Sequence, residues 1–250
     1  DCTIDLHDAV LTEIADFEHA TFTNDANFGG ATFNRYADFE RATFNGDADF
    51  WGATFNGDAH FGGATFNRDA HFGGATFNRY VHFWGATFNG DANFRDATFN
   101  GTNFLRATFN HANFWDATFN RDAHFQGATF THNANFWDAT FNRDANFGGA
   151  TFDRADFQDA TFNRVDFRGA TFNDAYFWGA TFNRVDFQDA TFNRVDFRGA
   201  TFNSYADFQG ATFTNDAHFG GATFSRSAPP KGLPPGRVDE DGLPHGARWA

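Results

Sequence analysis

The chain has 250 residues, among them 40 Phe and 25 Gly, and its formal net charge at pH 7 is −14. This charge disfavours nucleic acids and anionic membranes as direct partners, because both are polyanions. No apolar run reaches the roughly 18 residues of a membrane-spanning helix, so no membrane span is predicted. The single cysteine, Cys2, excludes an internal disulfide and favours a reducing, cytoplasmic location.

The first predicted elements are two short apolar units near the N-terminus, at residues 4–6 (IDL) and 9–11 (AVL). Their leucines are five residues apart, and the second leucine precedes Phe17 by six residues. Steps of five and six are also the only spacings between the Phe residues that follow. We therefore interpret residues 1–14 as degenerate first units that form an N-terminal cap, with Leu in place of Phe.

From Phe17 to Phe224 the sequence is a tandem repeat. The second residue before each Phe is Ala in 35 of 40 cases, and the residue directly before it alternates between Thr and one of Asp, Asn, His or Tyr. Small, polar and bulky residues in this order have the period of two of a β-strand, with the polar side chain pointing outward. Gly, Asn and Asp fill the next positions, as turns require. The pattern predicts an all-β chain of very short strands.

Units such as ADFER (37–41), ANFRD (92–96) and ADFQD (155–159) resemble the pentapeptide-repeat family, whose motif is A(D/N)LXX or A(D/N)FXX. The resemblance implies a right-handed quadrilateral β-helix with four units per coil, and we place it at residues 15–224. Forty Phe then correspond to about ten coils, with each Phe stacked on the Phe one coil away in one of four ladders. One predicted core ladder contains Phe50, Phe72, Phe94, Phe114 and Phe136.

The six-residue steps depart from the plain five-residue motif. All of them run from a Thr unit to the following Asp, Asn or His unit, which places the extra residues at two diagonally opposite corners of the coil. The extra residue is most often Asp, as at Asp47, Asp58 and Asp69. We expect one-residue bulged corners whose carboxylates bind turn N–H groups.

The repeat ends at Phe224, and residues 225–250 are rich in Pro and Gly. This composition predicts a flexible tail. The last coil has no evident cap in the sequence, so a homodimer through an uncapped solenoid end is one expected solution.

The main functional prediction is a non-enzymatic structural or protein-interaction rod whose protein partner is unknown. Exposed Trp is enriched where proteins bind one another, and several Trp follow Phe of the same predicted column. These candidate contact residues are Trp51, Trp115, Trp137 and Trp178. The alternative is that the indoles cover the corner beside Gly-rich turns.

Two other functions remain open. Gyrase-protecting members of the pentapeptide-repeat family are acidic rods that imitate DNA, so the resemblance makes DNA gyrase or another topoisomerase an alternative partner. The predicted charge density is about half that of duplex DNA. The acidic surface residues concerned are Asp38, Asp47, Asp49, Asp58, Asp69 and Asp91. The other alternative is an ice-binding face, because Thr and Asn form ordered ranks along the rod.

Catalysis, a cofactor and a metal site are not predicted. The chain has only three Ser, no Cys within the repeats and no long loops that could form a pocket. His60 and His82 are expected one coil apart, which could attract a metal ion. A polar column whose members are interchangeable explains them better.

Overall fold

The computed structural model of the chain describes residues 4–233, 236 and 238–250. Within these residues it contains 35 strands, most of them only two residues long. In chain order they are β1 (Ile4–Asp5), β2 (Val10–Leu11), β3 (Ala15–Asp16), β4 (Thr21–Phe22), β5 (Ala26–Asn27), β6 (Thr32–Phe33), β7 (Ala37–Asp38), β8 (Thr43–Phe44), β9 (Ala48–Asp49), β10 (Thr54–Phe55), β11 (Ala59–His60), β12 (Thr65–Phe66), β13 (Ala70–His71), β14 (Thr76–Phe77), β15 (Val81–His82), β16 (Thr87–Asn93), β17 (Thr98–Phe99), β18 (Thr102–Asn103), β19 (Thr108–Asn113), β20 (Thr118–Phe119), β21 (Ala123–His124), β22 (Thr129–Asn135), β23 (Thr140–Asn146), β24 (Thr151–Asp156), β25 (Thr161–Asp166), β26 (Thr171–Tyr176), β27 (Thr181–Phe182), β28 (Val185–Asp186), β29 (Thr191–Asp196), β30 (Thr201–Phe202), β31 (Ala206–Asp207), β32 (Thr212–Phe213), β33 (Ala217–His218), β34 (Thr223–Phe224) and β35 (Arg248–Trp249).

The strands form a four-sided parallel solenoid. Each strand pairs with the strand one coil further along, so Thr54 lies opposite Thr76 and Thr98 lies opposite Thr118. Equivalent side chains therefore form columns on each side. We number the sides by an outward residue of one coil: side 1 contains Asn27, side 2 Thr32, side 3 Asp38 and side 4 Thr43, and each side continues coil by coil in both directions.

Sides 4 and 1 belong to one sheet of 15 strands, and sides 2 and 3 belong to a second sheet of 20 strands. Strands such as β16 and β23 run continuously around the corner inside each sheet. The two sheets are separated by tight turns that follow sides 1 and 3.

Phenylalanine rings fill the interior. In the ladder of side 1, successive ring centroids are 4.8 Å apart between Phe50 and Phe72 and between Phe114 and Phe136, with the rings nearly parallel. Neighbouring ladders meet edge to face, as Phe50 and Phe61 do at 5.4 Å. Aromatic pairs prefer these offset-stacked and edge-to-face arrangements. The predicted all-β, four-sided β-helix with Phe ladders is confirmed, and every Phe between Phe28 and Phe208 is buried.

The tight turns need a left-handed residue. The amide of Ala31 donates to the carbonyl of Phe28 at 3.0 Å, and Gly30 between them has φ +65°. A positive φ at the third position is what a type II turn requires, and Gly adopts it without steric cost. The same position is occupied by Gly in most coils and by Asp, Arg or His in the others.

The corners inside each sheet hold the inserted residues. Where a longer coil meets a shorter one, the register shifts by one residue, as between Phe88 and Asp91 when β16 pairs with β19. The inserted carboxylate then bonds the neighbouring coil: Asp69 Oδ1 accepts a hydrogen bond of 2.9 Å from the Asp91 amide. The register shift confirms the prediction of bulged corners. The inserted carboxylate accepts a hydrogen bond from the amide of the next coil and not from its own turn.

Asn side chains add a second ladder at these corners. Asn56 Nδ2 donates to Asn34 Oδ1 at 3.0 Å and Asn78 Nδ2 donates to Asn56 Oδ1 at 2.8 Å, each across one coil. Stacked amides of this kind also reinforce cross-β structures. The Asn hydrogen bonds link adjacent coils on the outside of the solenoid, while stacked Phe rings link them on the inside.

The described parts of the tail lie against the last coil. Strand β35 pairs with β34, which places Trp249 over Phe224, and Leu243 is buried. The Phe208 amide donates to the Lys231 carbonyl at 2.8 Å. The sequence shows no cap, whereas here the tail covers part of the last coil. The division into residues 1–14, 15–224 and 225–250, and the flexibility of the tail, stay predictions.

Candidate functional site

The tight turns between sides 1 and 2 stack into one continuous ridge along the rod, which we call the turn ridge. It consists of the two residues that follow each Phe of side 1. These residues are 29–30, 51–52, 73–74, 95–96, 115–116, 137–138, 158–159, 178–179, 198–199 and 220–221.

All four predicted contact tryptophans lie on the turn ridge. The exposed fractions of Trp51, Trp178 and Trp137 are 65%, 52% and 39%, while Trp115 is half-buried. Trp84, which the sequence prediction left out, is 40% exposed on the equivalent turns between sides 3 and 4. Trp84 could have been found from the sequence, because it directly follows a Phe, as the four predicted tryptophans do.

Trp115 is held in a stack along the ridge. Its ring lies 5.2 Å from that of Trp137 at an interplanar angle of 8°. On Trp115 the Arg95 guanidinium carbon also lies 4.1 Å from the ring centroid. The same guanidinium pairs with Asp96, with Nε and Oδ2 3.3 Å apart. A cation, an indole and a carboxylate from adjacent coils therefore form one contact set.

At some turns the first residue after Phe is Gly, and an indole from a neighbouring coil covers it. A Cβ atom at Gly73 would lie 3.1 Å from Trp51 Cδ1, and one at Gly62 would lie 2.3 Å from Trp84 Nε1. The interpretation that tryptophans cover Gly-rich turns thus has a geometric basis at Trp51 and Trp84. Although Trp51 covers Gly73, most of the Trp51 side chain remains exposed to solvent.

Four consecutive coils carry Asp at the left-handed position of the turn ridge. Asp96, Asp116, Asp138 and Asp159 have φ between 55° and 57° and are exposed. Partial desolvation by the neighbouring coils raises the pKa of the Asp138 carboxyl above its ordinary value, and the negative charges of Asp116 and Asp159 add to this. The sequence analysis missed this column. Aligning the second residue after each Phe of side 1 reveals it.

The predicted acidic surface residues are divided among several parts of the rod. Asp47, Asp69 and Asp91 share the corner between sides 4 and 1, while Asp58 lies on the opposite corner. Asp38 and Asp49 lie on sides 3 and 1, where Asp49 Oδ1 accepts a 2.8 Å bond from the Trp51 amide and Asp38 Oδ1 a 2.9 Å bond from the Glu40 amide. They do not form one continuous stripe.

Further along the rod, basic and acidic residues alternate on the corner between sides 4 and 1. Asp91 is followed on its corner by His111 and Asn133, and then Arg and Asp alternate at Arg154, Asp174 and Arg194. Arg194 donates to Asp174 at 2.6 Å. Arg168 likewise pairs with Asp166 at 2.6 Å, and Arg198 pairs with Asp196 at 2.6 Å.

Sides 2 and 4 present Thr in register in nearly every coil, from Thr32 to Thr223 on side 2 and from Thr21 to Thr212 on side 4. The ice-binding alternative rests on these two ranks and stays a prediction.

The His60 and His82 rings are 4.4 Å apart on side 3, and burial followed by repulsion from His60 lowers the pKa of His82. Among the described residues, no group of three or more His, Cys, Asp or Glu could hold a metal ion. Grooves lie along sides 1 and 3 and at the corners beside them. One of about 380 Å³ is lined by Arg164, Arg168 and Arg184 with the carboxylates around them. In the described part of the chain, no helix has the length and apolar character needed to cross a bilayer.

The geometry defines a class of protein: a parallel β-solenoid with stacked Phe ladders and columns of surface residues. The family model for pentapeptide repeats (9 copies) matches overlapping stretches within residues 6–229, and the chain therefore belongs to the pentapeptide-repeat family. The matched stretches are 6–54, 50–98, 83–129, 125–171, 147–191 and 187–229.

Solved structures give a weaker likeness. HetL, a pentapeptide-repeat protein involved in heterocyst differentiation regulation from the cyanobacterium Nostoc sp. strain PCC 7120, is 17% identical, with 98% of this chain and 93% of HetL covered and a TM-score of 0.31. QnrB1, a plasmid-mediated fluoroquinolone resistance protein, is 17% identical, with coverage of 96% and 91% and a TM-score of 0.28. Comparison with curated proteins gives no significant match. At these values the likeness carries no information about a partner.

Proposed function

We propose that this solenoid is a non-catalytic binding rod that contacts another protein through the tryptophans of its turn ridge. The observation that carries the proposal is the exposure of three large indoles, Trp51, Trp137 and Trp178, on one ridge. Burying a Trp removes a large apolar area from water, and Trp is enriched among residues that dominate binding energy.

The scaffold suits this role because the ridge is already ordered. The amides of Trp51 and Trp137 each donate to the residue two positions earlier, at 2.8 and 2.9 Å, and the Phe directly before each Trp is buried. A partner would therefore meet tryptophans whose backbone is already held in place. Preorganisation lowers the entropy cost of binding.

Quantitative affinity capture tests the proposal. The intact protein, a triple variant Trp51→Ala, Trp137→Ala, Trp178→Ala and a control variant are used side by side. The control is Thr54→Ala, Thr140→Ala, Thr181→Ala, which changes the adjacent side 2 position in the same three coils. Captured proteins should be shared by wild type and control and lost from the Trp variant. Circular dichroism checks that all three are folded, and an unchanged set of captured proteins in the Trp variant contradicts the proposal.

A DNA-mimic function that acts on DNA gyrase is the second candidate. It is favoured by the corner between sides 4 and 1, where Asp25, Asp47, Asp69 and Asp91 occupy successive coils linked by side chain to amide hydrogen bonds. Coils repeat at about 4.8 Å, a wider interval than the ~1.7 Å between charges of duplex DNA. The column also ends at His111, so it covers only part of the rod.

A gyrase supercoiling assay tests the second candidate. Inhibition at micromolar protein should weaken as salt increases, because salt screens charge contacts. Asp47→Lys, Asp49→Lys, Asp58→Lys should abolish the inhibition, whereas Asp186→Lys, Asp196→Lys should have less effect. Absence of inhibition by the wild type at every salt concentration eliminates this candidate.

A further inference from the structure

We propose that the turn ridge between Arg95 and Trp178 binds an arginine-bearing segment of a partner protein, with guanidinium groups stacked on the indoles and paired with the ridge carboxylates. This inference rests on the proposed binding function and specifies the chemistry of the partner.

The ridge already contains one occupied example of the proposed contact. Arg95 stacks on Trp115 at 4.1 Å and pairs with Asp96 at 3.3 Å. The cation and the carboxylate come from one coil and the indole comes from the next. Arg is suited to this geometry because its planar guanidinium can stack on an aromatic face while its N–H groups bind a carboxylate.

The same arrangement recurs further along without its cation. Gln158 and Asp159 stand in one coil and Trp178 in the next, so Gln158 occupies the place that Arg95 has in the first example. Gln158 Nε2 donates to Asp156 Oδ2 at 3.0 Å, toward side 1 and away from the ridge. Trp178 is 52% exposed, which leaves it accessible to a guanidinium from outside the chain.

The carboxylates of the ridge form a row of like charges on neighbouring coils. The other coils of the ridge use Gly at the left-handed position, whereas the equivalent turns between sides 3 and 4 also accept Asp, Arg or His. Here Asp occupies it in four successive coils, and partial desolvation, followed by the negative charges of Asp116 and Asp159, raises the pKa of Asp138. Between Arg95 and Arg198 the ridge has no basic residue of its own to offset them. The row of carboxylates is therefore complementary in charge to a cationic partner.

The spacing favours a peptide segment over a compact cation. Phe94, Phe114, Phe136 and Phe157 stack at 4.8 Å per coil beneath the ridge, so the carboxylates recur at a similar interval. An extended chain advances about 3.3 Å per residue. Its Arg side chains are long and flexible enough to reach carboxylates on several successive coils.

Fluorescence anisotropy with labelled hexa-arginine tests the proposal on the full chain, with hexa-lysine and spermine as comparisons. Asp116→Asn, Asp138→Asn, Asp159→Asn should weaken hexa-arginine binding about tenfold or more at about 0.15 M salt. The matched control is Asp25→Asn, Asp47→Asn, Asp69→Asn, which changes the net charge by the same amount on another corner and keeps an acceptor oxygen for the amides there. It should leave binding within about twofold of wild type.

Trp178→Leu should reduce the preference for hexa-arginine over hexa-lysine, because the stacking surface is lost while the charges remain. Thermal melting supplies a readout that separates binding from folding. The ridge Asn variant should melt at the same or a higher temperature, since it removes like-charge repulsion, whereas carboxylates with a structural role would lower the melting temperature when replaced.

The inference is overturned if the two Asn variants weaken binding equally. It is also overturned if hexa-arginine, hexa-lysine and spermine bind with equal affinity per charge. Either result would show that binding is nonspecific charge attraction. If the Trp-dependent capture of proteins succeeds while hexa-arginine fails to bind, the binding rod stands and only the arginine chemistry is wrong. If the Trp variant captures the same proteins as wild type, the proposed function itself fails.

Discussion

Single Asp and Asn side chains on sides 1 and 3 organise the tight turns. Asn113 Oδ1 accepts a 3.1 Å bond from the Trp115 amide, and Asn135 Oδ1 accepts a 2.9 Å bond from the Trp137 amide. Bonds from such a side chain to the backbone two residues on stabilise turns. The polar residue before each Phe therefore also positions the ridge residue after it.

Phe114 and Asn113 test the inward and outward assignments. Phe114 is fully buried and stacks at 4.8 Å on both Phe94 and Phe136, so Phe114→Ala should lower the free energy of unfolding by about 3–5 kcal/mol through the cavity it leaves. Asn113→Ala removes one hydrogen bond and should cost about 1 kcal/mol. Denaturant unfolding measures both, and equal costs would refute the assignment.

Tyr36 should make the fold sensitive to alkali. Burial, the hydrogen bond that its hydroxyl donates to Asp38 and nearby negative charges raise the pKa of Tyr36 from 10.0 to about 12. The unfolded chain loses this proton near its ordinary pKa, while the folded chain keeps it to about pH 12. This contribution to stability is thus complete below the ordinary pKa and is lost as pH rises through the window between the two values.

Ultraviolet absorbance titration of wild type and Tyr36→Phe measures that shift. The difference between the two curves should show one phenol that ionises late, and Tyr36→Phe should lose less stability in alkali than wild type. A phenol that ionises at its ordinary pKa contradicts the burial and hydrogen bonding described for Tyr36.

At the scale of the element, the solenoid has two kinds of corner with different structural roles. Tight turns with a left-handed residue separate the two sheets, while the corners within each sheet accept an extra residue. The coils containing β24, β26 and β29 make the second kind of corner with one residue fewer than β22 and β23, and their pairing stays parallel. Corner length can vary because the Phe and Ala on either side keep their inward register.

Deleting Asp69 should therefore be tolerated. The coil would then resemble those with shorter corners, and the loss would be limited to the bonds between Asp69 and its neighbours Asp47 and Asp91, about 1–2 kcal/mol. Deleting Thr65 instead shifts Phe66 out of the ladder that it shares with Phe44 and Phe88. Thermal melting should show a small loss for the first deletion and loss of cooperative folding for the second. Similar melting of the two would show that the inserted residue is not at a corner.

At the scale of the whole molecule, stability is a sum of contacts between adjacent coils, so the ends are the weakest parts. Phe17, Phe22 and Phe213 are only half-buried, in contrast to the Phe residues between them. At the C-terminal end the tail supplies part of the missing contacts through β35 and Leu243.

Trp249→Ala should loosen that end without affecting the centre. Trp249 packs against the core above Phe224, and the amides of Arg248 and Ala250 donate to Ala222 and Phe224 at 2.9 Å. Hydrogen exchange at these two amides should accelerate by an amount equivalent to about 1–2 kcal/mol, since part of a large apolar side chain is lost. The amide of Phe114 serves as the internal control, and unchanged exchange at Arg248 and Ala250 would show that the tail does not depend on Trp249.

The sequence by itself determined the solenoid, the inward and outward faces and the positions of the bulged corners. It could do so because each unit repeats the same local pattern and meets a nearly identical unit one coil away, so one pairing rule applies throughout. The columns of outward residues follow from the same rule, which also assigns the four predicted tryptophans to one column.

Only the tertiary structure decided which side chains meet. Arg95, Trp115 and Asp96 form one contact set because of side-chain directions across adjacent coils, which a period does not encode. The structure likewise decided that the Asp69 carboxylate binds the amide of Asp91 in the next coil and that Trp249 returns to Phe224. The tail has no repeat, so no pairing rule applied to it, and its position depends on contacts between residues far apart in the chain.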